Sequence, residues 1–182
     1  LLKQEVTTSV YNSFVESVKL PIYNIGENLD LVPSSLQLAQ ADLQLGSALA
    51  RERLLEDLLQ PVMGDYDYIL IDCPPSLSLM TLNAITVSDE VLIPLVAETL
   101  PFKGLTMITD FVGMVKAKLN PKVKVAGVLI TRYEKSNLSK QIENGLRESL
   151  GELVFETKIR KNITVAQAPL EATNIVDYDK KS

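Results

Sequence analysis

Apolar residues along this chain switch between short unbroken runs and spacings of three to four, a strand-and-helix alternation repeated several times. The run at residues 68–71, Tyr-Ile-Leu-Ile, is β-branched and aromatic and predicts a strand buried on both faces. It ends on Asp72. Pro74 and Pro75 then stop it, because each fixes φ, supplies no N–H and holds the residue before it extended. Ser76 is the candidate cap of a helix reaching Val87, with Leu77, Met80, Leu82, Ala84 and Ile85 as apolar positions. Residues 90–96 make another near-continuous apolar strand. A loop over residues 98–104 follows, with Thr99 as candidate cap and Pro101 at a first-turn position. Leu105, Ile108, Val112, Val115 and Leu119 mark an amphipathic helix that Asn120-Pro121 stops. Residues 123–131 are the next strand. Asn137 is the candidate cap of a helix carrying Leu138, Ile142, Leu146 and Leu150, closed by Gly151. Residues 153–159 are the last clear strand, followed by residues 162–168 and a turn at Pro169.

Earlier in the chain the pattern is weaker. Residues 7–19 place Val10, Phe14, Val15 and Val18 on one helical face behind Thr8 or Ser9. Residues 28–33 alternate as a short strand. Residues 36–59 read as one helix rich in Leu and Ala, with Gly46 as its point of interruption and Pro61 and Gly64 as its end. Strands separated by helices of this length imply crossover connections and a mostly parallel sheet with helices on both faces, a three-layer α/β architecture. No repeat, linker or low-complexity stretch divides it, so residues 1–182 are expected to form one domain.

With 182 residues and 46% hydrophobic content, the chain can bury one ordinary core. No apolar run approaches a membrane span and no signal peptide is visible at Leu1-Leu2-Lys3, so a cytoplasmic protein is the expectation. The chain contains no histidine, which excludes a Ser-His-Asp triad, a histidine general base and a histidine metal site. Its single cysteine, Cys73, excludes an internal disulfide and a thiolate cluster; within a turn expected to be buried, it reads as a small core residue. Any metal is then a hard cation held by oxygen, such as Mg²⁺. Open parallel sheets bind ligands beyond the carboxyl ends of their strands, which makes Asp72 the candidate to hold that ion through water. Net charge is −5 but unevenly spread: residues 1–120 carry 7 Lys+Arg against 15 Asp+Glu, residues 121–182 carry 11 against 8. The basic tendency of the last third is either a solvated face or a polyanion-binding patch.

The string Tyr66-Asp67-Tyr68-Ile69-Leu70-Ile71-Asp72-Cys73-Pro74-Pro75-Ser76-Leu77 resembles the second acidic (Walker B type) motif of the ParA/Soj family of partition ATPases, deviant-P-loop relatives of MinD. Family-like positions continue in order through Thr81-Leu82-Asn83-Ala84, Asp89-Glu90-Val91-Leu92-Ile93-Pro94, Gly104-Leu105, Leu119-Asn120-Pro121, Gly127-Val128-Leu129-Ile130-Thr131, Asn137-Leu138-Ser139 and Val154-Phe155-Glu156-Thr157. Ile159-Arg160-Lys161-Asn162-Ile163-Thr164-Val165-Ala166-Gln167-Ala168-Pro169 resembles the family's Ile-Pro-Arg-Asn-Val-Arg-Leu-Ala-Glu-Ala-Pro stretch. The resemblance runs from about Asn28 to Ser182. The family's glycine-rich phosphate loop with two lysines and its Leu-Ile-Asp-x-Asp-Pro-Gln motif do not occur in these residues. The expectation is therefore an incomplete P-loop NTPase-like domain, lacking its amino-terminal P-loop segment and its last helix. In the family the strand feeding that loop is central. Without it, unpaired N–H and C=O groups and two apolar helix faces are exposed, so rearranged pairing, strands recruited from a second copy, or marginal stability is expected.

The resemblance implies an ATPase for plasmid or chromosome partitioning. ATP with Mg²⁺ drives homodimerisation and non-specific DNA binding on the nucleoid, and hydrolysis, stimulated by a ParB-like centromere-binding partner, releases it; the 182 residues alone would be inactive. On that resemblance Asp72 holds the magnesium of ATP, and Cys73, Pro74 and Pro75 shape the loop beside it. Thr131 and residues 162–169, Asn162 and Pro169 among them, fall at the adenine pocket. Arg132, Lys135, Lys140, Lys158, Arg160 and Lys161 are implied as phosphate contacts with DNA. The family often carries arginine just before its Asn-Leu-Ser step. Lys135-Ser136 stands there here, one residue shorter, keeping the charge without the bidentate geometry. The alternative is a DNA- or protein-binding module of the same descent that never handles nucleotide. One cysteine excludes the nitrogenase-type iron proteins of the superfamily, and no carboxyl-terminal amphipathic basic helix points to a membrane.

Overall fold

The computed structural model describes residues 7–97 and 101–179, so the candidate cap Thr99 lies outside the described residues. Two compact units are present. One is built from the chain up to Ser88 with Lys118–Pro121, the other from Asp89–Ala117 and the chain from Lys122 onward.

The first unit opens with α1 (Val10–Glu16), shorter than the pattern predicts because Ser17 turns left-handed at φ 55° and leaves Val18 exposed. Ser9 is the cap, its N–H donating to Asn12 Oδ1 at 3.0 Å. β1 (Tyr23–Gly26) and β2 (Leu29–Leu31) form an antiparallel hairpin, turned at Asn28 with φ 54°, a region asparagine tolerates. Only β2 is legible in the sequence; β1, Tyr-Asn-Ile-Gly, offers just two apolar positions before it ends on glycine.

Residues 36–59 do not form one helix. A 3₁₀ turn (Leu36–Gln40), α2 (Ala41–Gln44), a second 3₁₀ turn (Arg51–Arg53) and α3 (Leu54–Leu59) replace it, with the break around Gly46 and Ala50 left-handed at φ 49°. Leucine content misleads here: Leu36, Leu43 and Leu49 stay exposed, while Ala41, Leu45, Leu55 and Leu59 join Phe14 and Ala84 in the core. α4 (Leu79–Val87) starts two residues later than a Ser76 cap would set it. Ser78 rather than Ser76 is its cap, accepting from the Thr81 N–H at 3.5 Å, while the Ser76 carbonyl accepts from the Thr81 hydroxyl at 2.6 Å.

The largest departure concerns residues 68–71. They form no strand and pair with no other strand among the described residues. Tyr68 and Leu70 are 87% and 93% exposed, and only Ile71 packs against the core of this unit. An apolar, β-branched run favours extended backbone, but a strand also needs a free edge beside it, and that is a non-local condition the run cannot supply. The rearranged pairing considered above is likewise absent for this segment among the described residues.

The second unit carries the parallel α/β architecture. β3 (Glu90–Val96), α5 (Pro101–Lys118), β4 (Lys124–Tyr133), α6 (Asn137–Leu150) and β5 (Val154–Arg160) alternate, and the sheet order β3-β4-β5 is parallel throughout. Two short helices, α7 (Ile163–Gln167) and α8 (Ile175–Tyr178), follow. Ile93, Leu95 and Ala97 from β3 and its end, Val128 and Ile130 from β4, Val154 from β5, Leu105 from α5 and Leu146 from α6 make one buried cluster. Fully buried aliphatic side chains of this kind contribute about 2 kcal/mol each. β3 is an edge strand among the described residues and its other face is open, with Leu92 half exposed. Ser136, not Asn137, caps α6, accepting from the Ser139 N–H at 3.1 Å, and Gly151 closes that helix at φ 58°.

Gly127 lets β4 and β5 approach. A Cβ there would stand 2.8 Å from the Leu153 carbonyl oxygen and 2.8 Å from Phe155 Cζ. Gly127→Ala is expected to lower stability by about 1–3 kcal/mol through forced separation of the strands. The reading is a lower urea midpoint at unchanged slope; an unshifted midpoint contradicts it.

Candidate functional site

Asp72 belongs to the first unit and is exposed, at the end of an extended segment whose start is tied down by Tyr66. The Tyr66 hydroxyl donates to Asp30 Oδ2 at 2.6 Å. That bond, with help from the Asn24 amide, holds the Asp30 carboxyl below its ordinary range and raises the Tyr66 phenol. Pro74 and Pro75 are exposed too, and so is Cys73, which corrects the reading of that residue as core. Its buried expectation depended on a paired strand ahead of it. Partial desolvation of the sulfur, and then the Asp72 charge, push the thiol above the usual cysteine range, the opposite of an activated nucleophile. Among the described residues no three acidic or cysteine side chains gather as a metal site. A single exposed carboxylate does not by itself fit a resident Mg²⁺, which takes several oxygen ligands in near-octahedral order.

The other predicted residues lie in the second unit, and most converge. Parallel pairing sets Tyr133 opposite Arg160 at the last rung of β4 and β5, and the Lys161 N–H donates to the Tyr133 carbonyl at 3.1 Å. Both strands therefore end at one rim. Thr131 sits just inside it, half-buried, its hydroxyl donating to the Leu95 carbonyl at 3.4 Å. Arg132 is left-handed at φ 50°, unusual for a side-chain-bearing residue, and this breaks the β4 register between Ile130 and Tyr133. Arg132, Lys135, Lys140 and Arg160 are exposed, and among the described residues none has a carboxylate within ion-pair distance. Asn162 caps α7, accepting from the Thr164 N–H at 3.0 Å, and Pro169 opens a short 3₁₀ turn.

Lys158 behaves differently from the rest. Its ammonium lies 4.7 Å from the Tyr133 ring centroid and 2.6 Å from Glu143 Oε1, with both side chains mostly covered. Glu143 also takes the Arg147 guanidinium at 3.2 Å, and Arg147 donates to the Val154 and Phe155 carbonyls. This network ties α6 to β5. Lys161 pairs with Glu134 at 2.5 Å, both half exposed. The sequence does not announce Glu134, Glu143 or Tyr133 as members of the rim; only the strand register brings them there.

Lys158, with smaller help from Arg147 and Tyr133 and against the cost of burial, holds the Glu143 carboxyl below the usual glutamate range. A depressed folded value means stability that is present above the ordinary glutamate range and lost as pH falls through the folded value. The melting temperature is therefore expected to drop more between pH 6 and pH 3 in the wild type than in Glu143→Gln. Equal losses would show that the pair contributes nothing.

A family model described as an AAA domain matches residues 1–125. The sporulation initiation inhibitor protein Soj of Bacillus subtilis is 35% identical over 184 residues, covering 99% of this chain and 73% of its own. The structure of a putative plasmid partition protein from Borrelia burgdorferi bound to AMPPNP superposes with a TM-score of 0.76 at 29% identity, covering 94% of this chain and 70% of that one. A cobyrinic acid a,c-diamide synthase from Mycobacterium smegmatis, with an ATP analogue and magnesium bound, gives 0.79 at 29% identity, covering 91% and 72%. The chain spans 58% of the length of the first curated relatives it matches.

Proposed function

This chain belongs to the ParA/Soj family, and from that premise we propose that it is part of a partition-type ATPase that associates with DNA non-specifically as an ATP-bound dimer. The single observation that carries the DNA side of this reading is the cationic rim: Arg132, Lys135, Lys140 and Arg160 are exposed, with no carboxylate within ion-pair distance among the described residues. Non-specific DNA binding needs little beyond such a surface, because neutralised phosphates release condensed counterions. On the nucleotide side, family membership supports ATP and Mg²⁺ as the cofactors, as do the nucleotide analogues held by two similar structures. In this proposal Asp72 would be the residue of this chain that holds the ion, through water, and Cys73, Pro74 and Pro75 would set the direction of the chain beyond the carboxylate. Thr131, Asn162 and Pro169 serve on the base side. When bound, the metal nucleotide supplies the phosphoryl chemistry. A ParB-like partner accelerates hydrolysis, and the cytoplasm is the expected compartment.

A nucleotide-independent DNA-binding module is the second reading, favoured by one fact: the rim is assembled within one unit, from two strand ends and the first turn of α6. Electrophoretic mobility shift of a short duplex with and without ATP and Mg²⁺, on this chain and on the chain fused behind the phosphate-loop segment of a ParA/Soj relative, separates the two. Association that depends on nucleotide in the fusion supports the first. Equal, salt-sensitive binding without nucleotide supports the second, and no binding by either protein removes the DNA role.

A further inference from the structure

The six basic residues of the rim are not equivalent, and the difference lies in their carboxylate partners. Four have no carboxylate within ion-pair distance among the described residues, although the Arg132 charge also acts weakly on Glu134. Lys158 is committed to a covered network in which Glu143 also serves Arg147, so releasing it disturbs the joint between α6 and β5. Lys161 alone combines a carboxylate partner with exposure on both sides, its side chain 56% and that of Glu134 55% accessible. Position explains the pairing. Tyr133 and Arg160 form the last rung, so Glu134 and Lys161 are the next residues out on adjacent parallel strands, held together by the Lys161 N–H to Tyr133 carbonyl bond. The contact is thus fixed by the ladder and not by a chance loop excursion. An exposed pair of this kind contributes little to stability and exchanges its partner readily.

Resting on the reading of the rim as a nucleic-acid surface, we propose that Glu134 is a built-in competitor for the phosphate site of Lys161: it occupies the ammonium in the free protein and gives it up to a backbone phosphate. Its role is to set the rim's affinity, keeping Lys161 out of the free charge until a polyanion arrives. Placing a carboxylate there also subtracts one charge from a surface whose attraction to DNA scales with the phosphates neutralised.

The test is a duplex-DNA titration by fluorescence anisotropy, over a salt series and with ATP and Mg²⁺ present, on the full chain as wild type, Glu134→Gln, Lys161→Ala and the double variant. Glu134→Gln is expected to bind about three- to tenfold more tightly at low salt, with a salt slope steeper by about one. In the Lys161→Ala background the same change is expected to lose most of that gain. A gain of equal size in both backgrounds would mean that Glu134 acts only as a distant negative charge and overturns the proposal. Wild-type binding that Glu134→Gln leaves unchanged overturns it while leaving the DNA reading intact; absence of binding by both proteins overturns both.

Discussion

Asn83→Ala is expected to lower the stability of this chain by about 3 kcal/mol or more, read as a displaced urea transition monitored by circular dichroism. Asn83 is completely buried in α4. Its Oδ1 accepts from the Leu55 N–H at 3.0 Å, and its Nδ2 donates to the Arg51 carbonyl at 2.8 Å and the Leu79 carbonyl at 2.9 Å. One side chain thus supplies an acceptor at the first turn of α3, where an N–H has no helical partner, and a donor to the 3₁₀ turn before it. Each net hydrogen bond contributes about 1 kcal/mol, and each buried group left orphaned costs about 1–3 kcal/mol. Truncation also opens a small cavity. Asn83→Asp is the sharper control, because it keeps the acceptor and volume but removes both donors and buries a charge. A fold as stable with alanine as with asparagine would mean that water reaches all three partners.

Neutralising the rim as Arg132→Asn, Lys135→Gln and Arg160→Gln together is expected to weaken DNA binding at least about 100-fold at roughly 0.05 M salt. Each lost phosphate contact lowers the salt slope by about 0.9, which at that concentration is close to a factor of ten per contact. Asparagine is chosen at position 132 because it tolerates the left-handed backbone found there. The three residues are exposed and have no carboxylate within ion-pair distance among the described residues, so the melting temperature is expected to stay put. Anisotropy over a salt series measures both quantities. An unchanged slope would move the DNA contacts elsewhere on the molecule.

The strands that the sequence announced correctly are those whose neighbours the local pattern also specifies. β3, β4 and β5 are each a near-continuous apolar run, alternate with helices long enough to cross over, and can pair with one another. Residues 68–71 carry an equally good run and form no strand, because a parallel strand is a relation between segments distant in sequence. The same logic separates the helices. α5 keeps a sustained apolar spacing, with Leu105, Val112 and Val115 buried as read, whereas the leucines of residues 36–59 follow no single face and the segment breaks at Gly46 and Ala50. Among the caps, Ser9 stands where the pattern put it, whereas serines two residues after Ser76 and one before Asn137 took the N-terminal bonds of α4 and α6.

For the candidate site the division is similar. Composition alone ruled out histidine chemistry, an internal disulfide and a thiolate cluster, and charge counts showed that positive charge gathers in the last third of the chain. It could not distinguish a free lysine from a committed one. That distinction arises from register: setting Tyr133 opposite Arg160 puts Glu134 beside Lys161, and packing α6 on β5 brings Glu143 to Lys158. By itself the sequence determined the family, the parallel α/β class and the sign of the charge on the rim, because these follow from residue types and their order. Only the tertiary structure decided which apolar run pairs, that the one cysteine is exposed and which cations remain available, because edges, burial and ion partners come from segments far apart in the chain.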